Sequence, residues 1–252
     1  MLVLPASIRL RLTLAAAALL FGATLARAQS PRVFNLSTRG SVGTGANIMI
    51  AGFQVGPGTP DTILIRAVGP ALVPLGVTGV LMAPELTLFD SAGNVLQSNV
   101  GWESPGGTAT PALIGEAGAF PLPTGSADSA MVVTLGTGTY TAQVTGVNGT
   151  TGIVLLEVYE VGATQSTARL LNLSTRGQIG TGGSVMIPGL TIGPGSGMRT
   201  LLIRGAGPSL TGLGVEGALL DPTLSVVDAT GAIIAANDNW GTPEAAGPDA
   251  AQ

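Results

Sequence analysis

Five oxygen-bearing side chains near the C-terminal end of this sequence have types suited to holding a cation. Asp221, Asp228, Asn237, Asp238 and Asn239 are hard donors, and two loops meeting at one end of a set of strands could gather them around Ca²⁺. The competing reading is that they close Asx-turns at strand ends. An earlier stretch keeps Asp90 and Asn99 but has Val100 and Gly101 in place of Asp238 and Asn239, so a calcium site there would be weaker or absent. Calcium is the one cofactor these residues suggest. Trp102 and Trp240 could stack on a sugar ring; packing at the edge of a sheet is the plainer role. Arg66 and Arg204 lie inside apolar runs, and Arg39 and Arg176 precede glycine-rich turns. A charge among apolar neighbours must be paired. The recurrence of these arginines at matching places assigns all four to the framework rather than to a carboxylate or sugar ligand.

Most catalytic chemistry is excluded by composition. The chain has no His, no Cys and no Lys. That removes the Ser-His-Asp triad, imidazole bases, histidine-ligated zinc, thiol nucleophiles, Schiff bases and the P-loop lysine. A hydrolase using paired carboxylates survives the elimination. The acidic residues, however, sit mostly singly beside turns, and Asp128 in Gly125-Ser126-Ala127-Asp128-Ser129 suits a cap or turn. The expectation is a protein that is not an enzyme.

The arrangement behind these residues is an internal repeat. Asn35-Leu36-Ser37-Thr38-Arg39-Gly40 returns as Asn172-Leu173-Ser174-Thr175-Arg176-Gly177, an offset of 137. After one inserted residue near Ser196, Thr62–Pro70 matches Thr200–Pro208, and Leu86, Asp90, Gly93, Asn99 and Trp102 match Leu224, Asp228, Gly231, Asn237 and Trp240. The first copy runs on for about 60 residues past Trp102, whereas 12 residues follow Trp240. The second copy therefore has no counterpart of the strand-like runs 130–135, 139–145 and 152–159. This points first to an excerpt of a longer gene product, and otherwise to completion by another chain through exposed strand edges.

Thr139–Thr145 alternates polar and apolar residues, which places Tyr140, Ala142 and Val144 toward a core. Ile63–Val68 and Ile153–Val158 are apolar on both faces, as central strands are. A short helix is expected over Pro111–Ala117, with Thr110 as its N-cap. Seven or eight short strands per module, with Gly and Pro between them, predict an all-β protein: an antiparallel β-sandwich, jelly-roll-like. The domains are a signal peptide (1–28), a complete module (29–165) and a truncated second copy (166–252).

Arg9 and Arg11, the apolar run 12–25 and Ala26-Arg27-Ala28 form the signal pattern, with cleavage expected before Gln29. The expected location is secreted or cell-surface. No later run is apolar for long enough to span a bilayer, so no membrane insertion of the mature chain is expected. Beyond residue 28, seven Arg face 14 carboxylates. That balance argues against nucleic acid as a partner. Polysaccharide and other surface proteins remain as candidate partners.

Leu-Ser-Thr-Arg-Gly, Leu-Ile-Arg-Ala-Val-Gly-Pro-Ala-Leu, Gly118-Ala119-Phe120-Pro121-Leu122 and Leu155-Leu156-Glu157-Val158-Tyr159 together resemble a repeat module of large exported bacterial proteins. That resemblance spans nearly all of residues 31–252 and implies a tandem β-sandwich of no established activity. Asp221-Pro222-Thr223-Leu224 with Asn237-Asp238-Asn239-Trp240 is also similar to pre-peptidase C-terminal type domains. This implies a binding or spacer role, sometimes with calcium. The leading expectation is a non-catalytic extracellular scaffold or adhesion module. The alternative is a carbohydrate-binding accessory domain of a larger secreted enzyme.

Overall fold

Alternating and doubly apolar runs have one stable outcome in a chain this rich in Gly and Pro, namely sheets packed face to face. The computed structural model describes residues 32–105, 107–162, 167–193 and 198–241; the signal-like segment 1–28 lies outside them. The first copy folds as eight strands. They are β1 (Val33–Val42), β2 (Met49–Val55), β3 (Asp61–Val68), β4 (Pro84–Phe89), β5 (Val95–Val100), β6 (Ser129–Leu135), β7 (Gly138–Gly146) and β8 (Gly152–Val161). All pair antiparallel, in the orders β1-β8-β3-β6 and β5-β4-β7-β2. These are the two sheets of a jelly roll, so the expected all-β sandwich and its connectivity are both observed.

Two apolar cores follow from the strand pattern. Between the sheets lie Met49, Phe53, Ile63, Ile65, Leu86, Leu88, Met131, Val144 and Val158, with Tyr140 stacked on Phe53 at 5.7 Å. The opposite face of the β1-β8-β3-β6 sheet is covered too. There Leu64, Val68, Tyr159 and Val161 pack under the 3-10 turn Pro70–Leu75, helix Pro111–Glu116 and residues 119–122. A sheet buried on both faces explains why β3 and β8 read as continuous apolar runs. The helix starts as expected, with the Thr110 side chain accepting from the Leu113 amide at 3.3 Å.

The second copy contributes β9 (Leu170–Arg176), β10 (Ile187–Ile192), β11 (Leu224–Val227) and β12 (Ile233–Asn237). β9 adds to the free edge of β2, and β10 adds to the free edge of β1, which makes each sheet five-stranded. β11 and β12 pair only with each other. Residues 200–206, the match to β3, form no strand. A central strand needs neighbours on both edges, and no described strand lies beside this run.

Candidate functional site

The apolar run of β3 is interrupted by Arg66, which is 0% exposed. Antiparallel register sets it directly opposite Glu157 of β8. Its Nε donates to Glu157 Oε2 at 2.9 Å, its Nη2 also bonds that oxygen, and Nη1 donates to the Phe120 carbonyl at 2.6 Å. The Tyr159 hydroxyl donates to Glu157 Oε1 at 2.6 Å. The guanidinium lies 4.5 Å from the Phe120 ring centre and 5.7 Å from that of Tyr159. Burial, then the neighbouring Glu157 charge, push the Tyr159 hydroxyl well above its ordinary range. Both carboxylate oxygens and most guanidinium donors are thus engaged inside the protein, and what the cluster does is tie β3, β8 and the 119–122 segment together.

Asp128 is also fully buried. One carboxylate oxygen accepts from the Gly69 amide at 2.7 Å, the other from the Ser126 hydroxyl at 2.8 Å and the Ala71 amide at 3.2 Å. It pins the start of the Pro70–Leu75 turn, a cap of the kind its sequence context suggested. Glu160 accepts from the Leu170 amide at 2.7 Å and lies 3.6 Å from the Arg32 guanidinium. This fastens the start of β9 to β8. Desolvation holds the Glu160 carboxyl above its ordinary range.

The junction between the copies has an internal symmetry. Ser37 pairs with Gly189 while its repeat equivalent Ser174 pairs with Gly52. Leu36 pairs with Leu190 while Leu173 pairs with Phe53, and even the register irregularities fall at matching places. Each serine hydroxyl bonds the facing glycine carbonyl, at 3.5 Å for Ser37 and 3.4 Å for Ser174. Thr38 and Thr175, equivalent residues, share a 2.9 Å bond, and Ser41 bridges to its own equivalent Gln178. The two copies therefore meet about a local two-fold axis, each using the same pair of strand edges, which is isologous pairing within one chain.

The residues singled out from sequence are scattered by the fold. Trp102 is 2% exposed and its indole N–H donates to the Pro123 carbonyl at 3.1 Å, so it offers no open face to a sugar. Trp240 is 97% exposed. Arg39 and Arg176 hold matching junction positions, opposite Ile187 and Ile50. Arg39 lines a groove of about 320 Å³ with Ser37, Leu72, Leu75 and Leu155. Arg204 is exposed, unlike its buried equivalent Arg66. Among the described residues no three acidic side chains gather as a cation group, so Asp221, Asp228 and Asp238 do not converge. Asp228 instead accepts from the Thr230 and Ala232 amides at 2.8 and 3.0 Å, as Asp90 does from Ala92 and Asn94. Asn237 donates to the Asn239 carbonyl and Asn239 to Asp238. The Asp228 contact to the Thr230 amide is an Asx-turn, the competing reading of that segment, while the Asn237 and Asn239 bonds are side-chain donations to neighbouring residues.

Sequence reasoning missed Glu157 and Tyr159 as partners of Arg66. Their alternation on one face of β8 was the available signal, hidden because that face looked simply apolar. It also missed the junction, which no single-strand pattern encodes. Comparison of the chain with family models, with curated proteins and with solved structures finds no match.

Proposed function

We propose that this chain is an exported, non-catalytic β-sandwich repeat that acts outside the cytoplasm as a scaffold or adhesion unit. One observation carries the reading. The copies are joined by main-chain ladders on both sheets at once, which suits a stiff tandem array better than a pair of tethered binding domains. The polar clusters support it further, because Arg66, Glu157 and Asp128 are consumed by internal contacts. The signal-like segment and the resemblance to repeat modules of exported bacterial proteins agree with this role.

The absence of native cysteine allows a direct test. With Thr38→Cys and Thr175→Cys introduced together, secretion into an oxidising compartment should give one rapid intramolecular cross-link in a protein beginning at Gln29. Slow or intermolecular cross-linking, or retention in the cytoplasm, would remove the proposal. The alternative, a carbohydrate-binding accessory domain, has in its favour the exposed indole of Trp240 beside Asp238 and Asn239. A polysaccharide pull-down abolished by Trp240→Ala would transfer preference to it.

A further inference from the structure

Deepening the tandem reading, on whose junction it rests, we infer that the β1 and β2 edges form a self-recognition surface. Its partner is the same pair of edges on a second module, carried by this chain or by another copy of it. The warrant is the ladder already formed. β2 faces β9 through Ile50–Arg176, Ala51–Thr175, Gly52–Ser174, Phe53–Leu173, Gln54–Asn172 and Val55–Leu170. The repeat equivalents of those β9 residues are Arg39, Thr38, Ser37, Leu36, Asn35 and Val33 of β1. Five of the six are the same amino acid, and the sixth exchanges Leu for Val. A β2 strand laid against β1 of a second first module would therefore rebuild the ladder it now makes with β9. Two-fold symmetry would supply that ladder twice, once on each sheet.

The close contacts carry over too. An added Cβ at Gly52 would lie 2.8 Å from Ser174 Oγ, and one at Gly189 would lie 2.8 Å from Ser37 Oγ. Glycine at both places lets the opposing serine sit over the strand and bond its carbonyl. A single module holds both halves of this match, Ser37 on β1 and Gly52 on β2. Past the ladders, the Gly56 amide donates to the Arg169 carbonyl at 2.8 Å, and the Gly193 amide to the Arg32 carbonyl at 2.7 Å. These are again one bond made twice between equivalent residues. On the axis Thr38 meets Thr175, where two like modules would set Thr38 against Thr38. β10 departs from β2 at Pro188, Leu190, Thr191 and Ile192, yet β1 pairs with it. What both partner strands keep is glycine under the serine and isoleucine opposite the arginine.

The test removes the internal partner. Residues 29–165 supply both cores of the first copy apart from Ala168, Leu170 and the partly buried Leu173, so this part keeps its sandwich and frees both edges. At ~100 µM, below the millimolar effective concentration that a short linker supplies, it should sediment as a dimer. With Thr38→Cys it should cross-link rapidly to a second copy of itself. Gly52→Leu should abolish both the dimer and the cross-link. Trp102 emission shielded from acrylamide reports the fold in the same samples, because Trp102 is the one tryptophan of this part and is buried. A folded module that stays monomeric, or a dimer indifferent to Gly52→Leu, would overturn the proposal. Rapid cross-linking of Thr38→Cys with Thr175→Cys in the full chain would then leave the tandem reading standing. Should residues 29–165 not fold, the full chain decides. There Leu173→Asp with Gly189→Leu evicts β9 and β10 from the first module, and Thr38→Cys should then join two chains. Absence of that cross-link would overturn the proposal equally.

Discussion

Arg66 shows how one residue can set the terms for a fold. A guanidinium in an apolar strand is tolerated because Glu157, the Phe120 carbonyl and two ring faces replace its water. Arg66→Met should lower stability by about 3–5 kcal/mol in urea denaturation, because Glu157 is left as an uncompensated buried charge. Adding Glu157→Gln should recover part of that loss. Tyr159 gives the cluster a pH signature. Its hydroxyl ionises near 10.0 in the unfolded chain and well above that in the folded one. Past pH 10 the unfolded chain therefore releases its proton first, and stability should fall as pH rises further. Tyr159→Phe should flatten the alkaline limb of a melting-temperature profile. Glu160 acts in the same sense at lower pH, since its folded value lies above the ordinary 4.5. Stability from this group is greatest below pH 4.5 and declines as pH rises through the folded value.

At the scale of elements, the turn Pro70–Leu75 and the two junction ladders matter most. Gly69 passes so near the Leu81 carbonyl that an added Cβ would sit 1.9 Å from it, against backbone that cannot swing aside. Gly69→Ala should destabilise the first module by more than about 3 kcal/mol, read from its denaturant midpoint. Gly52 faces Ser174 Oγ, which a Cβ would approach to 2.8 Å. A bulky Gly52→Leu should detach β9, seen as faster hydrogen exchange confined to 170–192 while β3 and β8 stay protected. β7 was legible from period-two alternation, β3 and β8 from continuous apolar runs, and the helix from the Thr110-Pro111 start. Residues 200–206 repeat the strand-forming run of β3 and do not form a strand. Their sequence matches β3, but a strand's hydrogen bonds belong to its neighbours.

For the whole molecule, what matters is the difference between the two copies. The first buries both of its cores. Among the described residues, the second exposes Leu202, Leu213, Leu220 and Trp240 and leaves the outer edges of β9, β10, β11 and β12 unpaired. Such edges and apolar side chains favour association. Light scattering of a protein limited to residues 29–252 should therefore show concentration-dependent assembly, and Leu202→Ser with Leu220→Ser should reduce it without altering the first module's melting.

The amino-acid order alone determined the repeat, the β class, the list of chemistries that composition rules out and several strand positions, among them those of β3, β6, β7 and β8. Those depend on residue identity and on periodicity along the chain, which are local properties. Tertiary structure decided which arginine is buried and which is exposed. It also decided that Trp102 is enclosed while Trp240 is open, and that Asp228 closes a turn. Matching sequences diverged in this way because burial and pairing depend on strands far away in the chain. Arg66 has Glu157 across a ladder, whereas Arg204 stands at the matching place in the repeat and has no described strand beside it.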